Sequence, residues 1–140
     1  MRPRILVQTE DFDINAEMQR LAAQNTGGIA TFTGIVRTQN GTGPPITALT
    51  LEHYPGMTEA ALAKIAEEAK NGWPLTACTI IHRTGRLIPG EKIVFVGTAS
   101  AHRHAALASC AFLIDYLKTH APFWKKEDFA DDTSRWVDPT

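Results

Sequence analysis

The chain has 140 residues, a formal net charge of -1, 44% hydrophobic and 21% charged residues. That length and balance suit a single folded domain spanning residues 1–140, able to bury a core without staples. A net charge so close to zero excludes a global field for nucleic acid or an anionic membrane, so any anion site must be local.

Taken in chain order, RILVQ (Arg4–Gln8) reads as a short strand. Ile14, Met18, Leu21 and Ala22 recur at helical spacing, which predicts a helix over 14–24 with Asp13 as its N-cap. Gly27 and Gly28 break that pattern. IATFTGIVR (29–37) is β-branched and aromatic, and ITALTLEHY (46–54) alternates like a strand. Between them lies the Gly/Pro-rich TQNGTGPP, so the two strands are expected to pair as a hairpin with a long loop.

A strong helix follows over 55–73, with Thr58 as candidate N-cap and Leu62, Ile65, Ala66 and Ala69 as its apolar stripe. TACTIIHRTG and KIVFVGTAS read as two strands joined by RLIPGE. The longest helix is expected over 101–120, with Ser100 as N-cap and Pro122 beyond its end. From about residue 128 the tail is polar. These elements imply an α+β or mixed α/β domain, with too little alternation for a doubly wound sheet. There is no GxGxxG and no Walker loop, which argues against a nucleotide fold.

The N-terminus, MRPRILVQTEDFD, has no apolar h-region, and no apolar run reaches the roughly 20 residues needed to cross a bilayer. A cytoplasmic protein is expected. Cys78 and Cys110 lack metal or disulfide spacing and sit in apolar surroundings (TACTII and ASCAFL), as buried free thiols do. No metal is expected.

Four polar clusters border these elements. Arg37 ends a strand beside the Gly-rich loop, where it is either a ligand residue or a solvated arginine. His102, Arg103 and His104 open the longest helix, where the dipole disfavours cations; free N–H groups and cationic side chains together would hold a phosphate or carboxylate. Lys118 and His120 lie in that helix's last turn, and APFWKKE follows. A turn at Ala121-Pro122, anchored by Phe123 and Trp124, would swing Lys125 back toward Lys118. Two lysines on an apolar floor lower each other's pKa, which suits them to proton transfer. Lys126 reads more simply as solvated charge. Glu52 and His53 are adjacent in a strand and face opposite sides, so Tyr54-Pro55-Gly56 is better read as a tight turn. No internal nucleophile stands out.

TFTGIVR, LTLEHYPGMTEAAL, IHRTGRLIPGEKIVFVGTASAHRHAA and DYLKTHAPFWKKE, in this order and spacing, closely resemble the large, catalytic subunit of molybdopterin synthase. The resemblance covers about residues 28–136. It implies an α/β-hammerhead fold with an additional antiparallel sheet. It also implies a homodimer at the centre of a heterotetramer, with a small ubiquitin-like subunit at each end inserting a thiocarboxylated Gly-Gly tail. The implied reaction installs two dithiolene sulfurs on cyclic pyranopterin monophosphate to give molybdopterin, so the nucleophilic sulfur comes from the partner. No cofactor is implied.

By this resemblance Arg37, His102 and Arg103 bind the phosphorylated pterin. Lys118 and Lys125 match the two essential lysines and also contact substrate. Lys126 and Glu127 match flanking pocket positions, where the family often has Arg-Glu; lysine at 126 loses the bidentate geometry of arginine. Ile35 stands where some members carry a substrate-loop lysine, leaving backbone contacts from Ile35 and Val36. Arg135 lies in a tail segment that reaches toward the partner protomer's site. The alternative is a non-catalytic adaptor that binds a ubiquitin-like partner through the same groove. An RNA-binding domain fares worse, because the chain has no basic aromatic stripe.

Overall fold

A computed structural model describes residues 1–39 and 41–137. The elements are β1 (Arg4–Gln8), α1 (Ile14–Leu21), β2 (Gly28–Ile35), β3 (Ile46–His53), α2 (Met57–Gly72), β4 (Leu75–Arg83), β5 (Gly85–Leu87), β6 (Lys92–Ser100), α3 (Arg103–Thr119), β7 (Phe123–Phe129) and β8 (Ser134–Val137). They form two four-stranded sheets, ordered β1-β4-β6-β2 and β5-β3-β7-β8. The architecture is mixed α+β, with a second antiparallel sheet added to the first. No helix among the described residues is long and apolar enough to cross a membrane.

The first sheet carries the main core. Helices α2 and α3 bring Leu62, Ile65, Ala66, Ala69, Ala106, Cys110 and Leu113 against Ala30, Cys78, Ile80 and Val96. On the opposite face Leu21 of α1 packs with Phe12, Ile81, Phe95 and Ala99. Asp13 caps α1 as expected, its carboxylate accepting the Ala16 N–H at 3.2 Å. Buried Glu17 then ties α1 to β1 through Arg4, at 2.9 and 3.2 Å.

Strands β2 and β3 do not form the expected hairpin. β2 pairs antiparallel with β6, whereas β3 pairs with β5 and β7. Alternation reveals that a segment is a strand and which side is apolar, but not the neighbour it meets. Here Ala30 of β2 belongs to the helix-covered core, while Leu49 and Leu51 of β3 pack with Val36 and Leu87 in a separate cluster. The Gly/Pro-rich segment therefore carries the chain from one sheet to the other.

Two expected caps are also displaced. α2 starts after Gly56, whose φ of +85° suits glycine and not Thr58. Thr58 lies inside the helix and its hydroxyl accepts the Tyr54 N–H at 3.0 Å and donates to the Pro122 carbonyl at 3.2 Å. α3 is capped by the extended residue His102, while Ser100 stays in β6. The Ser100 hydroxyl instead donates to Pro74 O at 2.9 Å and accepts the His102 N–H at 3.2 Å. Residues of the RLIPGE connection and of the polar tail also form strands, β5 and β8, each added at an edge of the second sheet.

A candidate active site where the two sheets meet

The last turn of α3 and the start of β7 make the site. The His120 and Ala121 amides both donate to Tyr116 O, closing the helix, and the Phe123 amide donates to Ala121 O at 2.8 Å. Thr58 holds the Pro122 carbonyl from α2. The chain therefore reverses within a few residues and returns as β7. In a strand, alternate residues share a face, so Phe123, Lys125 and Glu127 point one way and Trp124 and Lys126 the other.

Phe123, Lys125 and Glu127 line a cavity of about 370 Å³ together with Leu117, Lys118, Ile35, Val36, Arg37, Ile46, Leu49, Ile93, Ala121 and Val137. Its floor is apolar and its polar groups are Arg37, Lys118, Lys125 and Glu127. The segment 35–37 is pinned there by backbone bonds, Val36 N–H to Glu91 O and Gly90 N–H to Val36 O, both 2.9 Å. Val36 is buried, whereas Ile35 and Arg37 are exposed. Lys125 is half-buried, and burial first, then the charge of Lys118, pushes its pKa below the ordinary lysine value. Glu127 is buried and accepts an Arg135 Nη2–H at 2.8 Å across β7 and β8.

The predicted residues thus separate into groups. Arg37, Lys118, Lys125, Glu127, Ile35 and Val36 are brought around one cavity. Arg135 reaches that cavity's wall through Glu127. Lys126 stands on the opposite face of β7, paired in register with Thr50 and Trp136. His102 and Arg103 are exposed at the other end of α3. At 1.5 Å per residue they lie about 22–24 Å along the axis from Lys118, too far to share one small ligand within a chain.

Sequence reasoning missed two features. The other face of β7 contributes Trp124 to a shallow recess with Glu52, His53, Tyr54 and Trp136, and Tyr54 meets Trp124 edge-on at 4.7 Å. Beneath the cavity, His82 is buried and stacks on Phe123 with ring centroids 3.7 Å apart. The signal for His82 was a lone histidine closing the apolar run TACTII. The two cysteines are free and buried, and burial pushes the Cys78 thiol up to about 12 and the Cys110 thiol up to about 11. Neither is a nucleophile near neutral pH.

The family model described as MoaE protein matches residues 7–120. The chain belongs to the MoaE family. Relatives of the chain include the molybdopterin synthase catalytic subunit of Pseudomonas aeruginosa, 56% identical over 96% of this chain and 89% of that protein. The protein of the same name from Escherichia coli K12 is 52% identical over 96% of this chain and 89% of its own length. Among solved structures, molybdopterin cofactor biosynthesis protein E from Burkholderia multivorans superposes with a TM-score of 0.83 at 51% identity, covering 99% of this chain and 90% of that one. Molybdopterin synthase from Staphylococcus aureus superposes with a TM-score of 0.86 at 30% identity, covering 98% and 97%. For a MoaE chain the cationic cavity at the end of α3 is the natural place to look for chemistry.

Proposed function

We propose that this MoaE chain is the catalytic subunit of a molybdopterin synthase. In this reading it transfers sulfur from the thiocarboxylated C-terminal glycine of a small ubiquitin-like subunit to cyclic pyranopterin monophosphate, forming the dithiolene of molybdopterin. The observation that carries it is the cavity itself: Arg37, Lys118 and Lys125 converge on an apolar floor, while both thiols of the chain are buried and neutral. Such a site suits an anionic substrate and proton transfer, with a nucleophile that arrives on a partner.

The small subunit's sulfur attacks the carbon beside the pterin ring. The C–S bond forms as the C–O bond at that carbon breaks, and the oxygen leaves with a proton from solvent, so that the sulfur joins the pterin and the small subunit as a thioester. Lys118, exposed at the cavity mouth, stabilises the oxyanion that forms on the acyl carbonyl when water adds to this thioester. Lys125, with its lowered pKa, carries the proton. Water then cleaves the acyl–sulfur bond, the small subunit leaves as its carboxylate, and the sulfur stays on the pterin. A second charged subunit delivers the second sulfur. Arg37 holds the substrate's phosphate; Glu127, kept in place by Arg135, and the backbone of Ile35 and Val36 shape the wall.

His102 and Arg103 enter through symmetry. In a homodimer at the centre of a heterotetramer, the start of one α3 serves the cavity of the second copy, adding cations and free N–H groups to the phosphate site. Lys126 supplies charge on the far face of β7 and no contact to substrate. The reaction needs no cofactor or metal of the chain's own, and the reading places it in the cytoplasm, where free thiols such as Cys78 and Cys110 stay reduced.

The test is product formation. The chain is mixed with thiocarboxylated small subunit and cyclic pyranopterin monophosphate, and dithiolene is measured. Binding of the small subunit with no dithiolene formed makes the chain an adaptor and sinks the enzymatic reading.

A further inference from the structure

His82 is a buried titratable group that the reaction above does not use. It is the next-to-last residue of β4, on the face that carries Cys78 and Ile80 into the core, so it sits where the helix-covered sheet meets β7. Its ring lies nearly parallel to that of Phe123, at 16° and 3.7 Å between centroids. Its Nδ1 is 2.9 Å from the Arg83 carbonyl. A carbonyl only accepts, so Nδ1 carries the proton. The titratable groups that face the ring are Lys125 on β7 and His53 on β3, the latter also 6.4 Å from the Phe123 ring. The guanidinium of neighbouring Arg83 is turned away, onto Thr9 O and Lys92 O.

We propose that His82 is a positioning residue for Lys125: stacked on Phe123 as a neutral ring, it fixes the start of β7 and seals the floor beneath the lysine against water. This rests on the reading of Lys125 as the proton carrier. Phe123 and Lys125 share one face of β7 and line the same cavity, and nothing but a two-residue step separates them. Burial is the largest influence on Lys125, so whatever keeps water from its ammonium sets its basicity. His82 is suited to that task because it does not bring a competing charge. Burial pushes its own pKa down to about 4, with Lys125 and His53 acting in the same direction. An aromatic ring at this position is what the packing requires; the imidazole adds a tether, its bond to Arg83 O.

The experiment compares His82→Ala with His82→Phe in the full chain. Lysines are reductively methylated with ¹³C-formaldehyde, and the Lys125 signal, assigned with Lys125→Arg, is titrated by NMR. In His82→Ala water enters, the Lys125 pKa rises toward the ordinary value, and kcat for sulfur transfer at pH 7.5 falls about tenfold per unit of that rise, with KM for the pterin little changed. In His82→Phe the stack survives, and both the lowered pKa and the turnover return. An unchanged Lys125 pKa in a folded His82→Ala, or a His82→Phe that behaves like His82→Ala, overturns the proposal. If His82→Ala does not fold, the decision passes to His82→Phe, which must keep Lys125 lowered, and to the wild-type chain. There ¹⁵N NMR at pH 6 must find His82 neutral with the proton on Nδ1; a charged ring overturns the proposal. The lysine titration needs no turnover, so a wild type that makes no dithiolene defeats the functional reading and leaves this result standing on its own.

Discussion

Lys125 feels two influences of the same sign. Burial and the neighbouring Lys118 both favour its neutral form, and removing either returns it toward ordinary lysine behaviour. Lys118→Gln takes away a positive neighbour, so the Lys125 pKa rises and less neutral amine remains at pH 7.5. The NMR titration of methylated lysine reads that shift directly. Lys118→Ala lowers sulfur transfer by about 10² or more, the usual range for a lost proton-transfer or oxyanion group, while the thermal midpoint stays near wild type because Lys118 is exposed. Near-normal product formation by this variant rules Lys118 out. His82 gives a second residue-scale effect, on stability. Its folded pKa of about 4 lies below the unfolded value of 6.5. The unfolded chain therefore takes up a proton that the folded chain refuses, and stability is lost as pH falls from about 6.5 toward 4. Between pH 7.5 and pH 4.5 this loss is on the order of 2–3 kcal/mol. Urea unfolding at the two pH values should show it in wild type, with less of it in His82→Phe.

The turn from α3 into β7 is where an element decides what the residues can do. Its geometry depends on α2, which lends the Thr58 hydroxyl to both the Tyr54 amide and the Pro122 carbonyl. Thr58→Val keeps the shape and removes both bonds from a fully buried position. The expected cost is about 1–3 kcal/mol, measured by urea unfolding, and a several-fold loss of turnover as the start of β7 loosens. A variant with lower stability but undiminished kcat would show that Lys125 does not depend on this strut. Gly56 precedes the same helix at a φ of +85° and has open space around it. Gly56→Ala therefore meets no clash and costs only backbone strain, about 1–3 kcal/mol.

At the scale of the whole molecule, α3 holds two groups of cations apart by its own length. Lys118 lies at one end and Arg103 at the other. The proposed homodimer makes this separation testable by complementation. Chains carrying Lys118→Ala and chains carrying Arg103→Ala are each expected to be poorly active alone. After mixing and exchange, half the dimers are mixed, and in each mixed dimer one cavity holds an intact Lys118 together with the partner's Arg103. Activity should recover to about one quarter of wild type for a symmetric two-site dimer. No recovery would mean that Arg103 acts within its own chain or on something else.

Much of this molecule was legible in its sequence, because local rules governed those parts. Helical periodicity marked α1, α2 and α3, β-branched runs marked β2, β4 and β6, and cations at the start of α3 stood out against its dipole. The quoted motifs carried the family, and their order already named the lysines that the fold brings to one cavity. What the sequence left open depended on partners distant along the chain. β2 and β3 are neighbours in sequence and belong to different sheets, because a strand's alternation records its faces and not the identity of its neighbour. Thr58 looked like a cap until the fold set it beneath Pro122, and Lys126, read from the residues as solvated charge, is turned by β7 to the face away from Lys125. His82 was one more histidine at the end of an apolar strand. Only the tertiary structure laid its ring on Phe123, 41 positions further along the chain, because stacking is decided by where two strands cross and neither strand encodes the crossing alone.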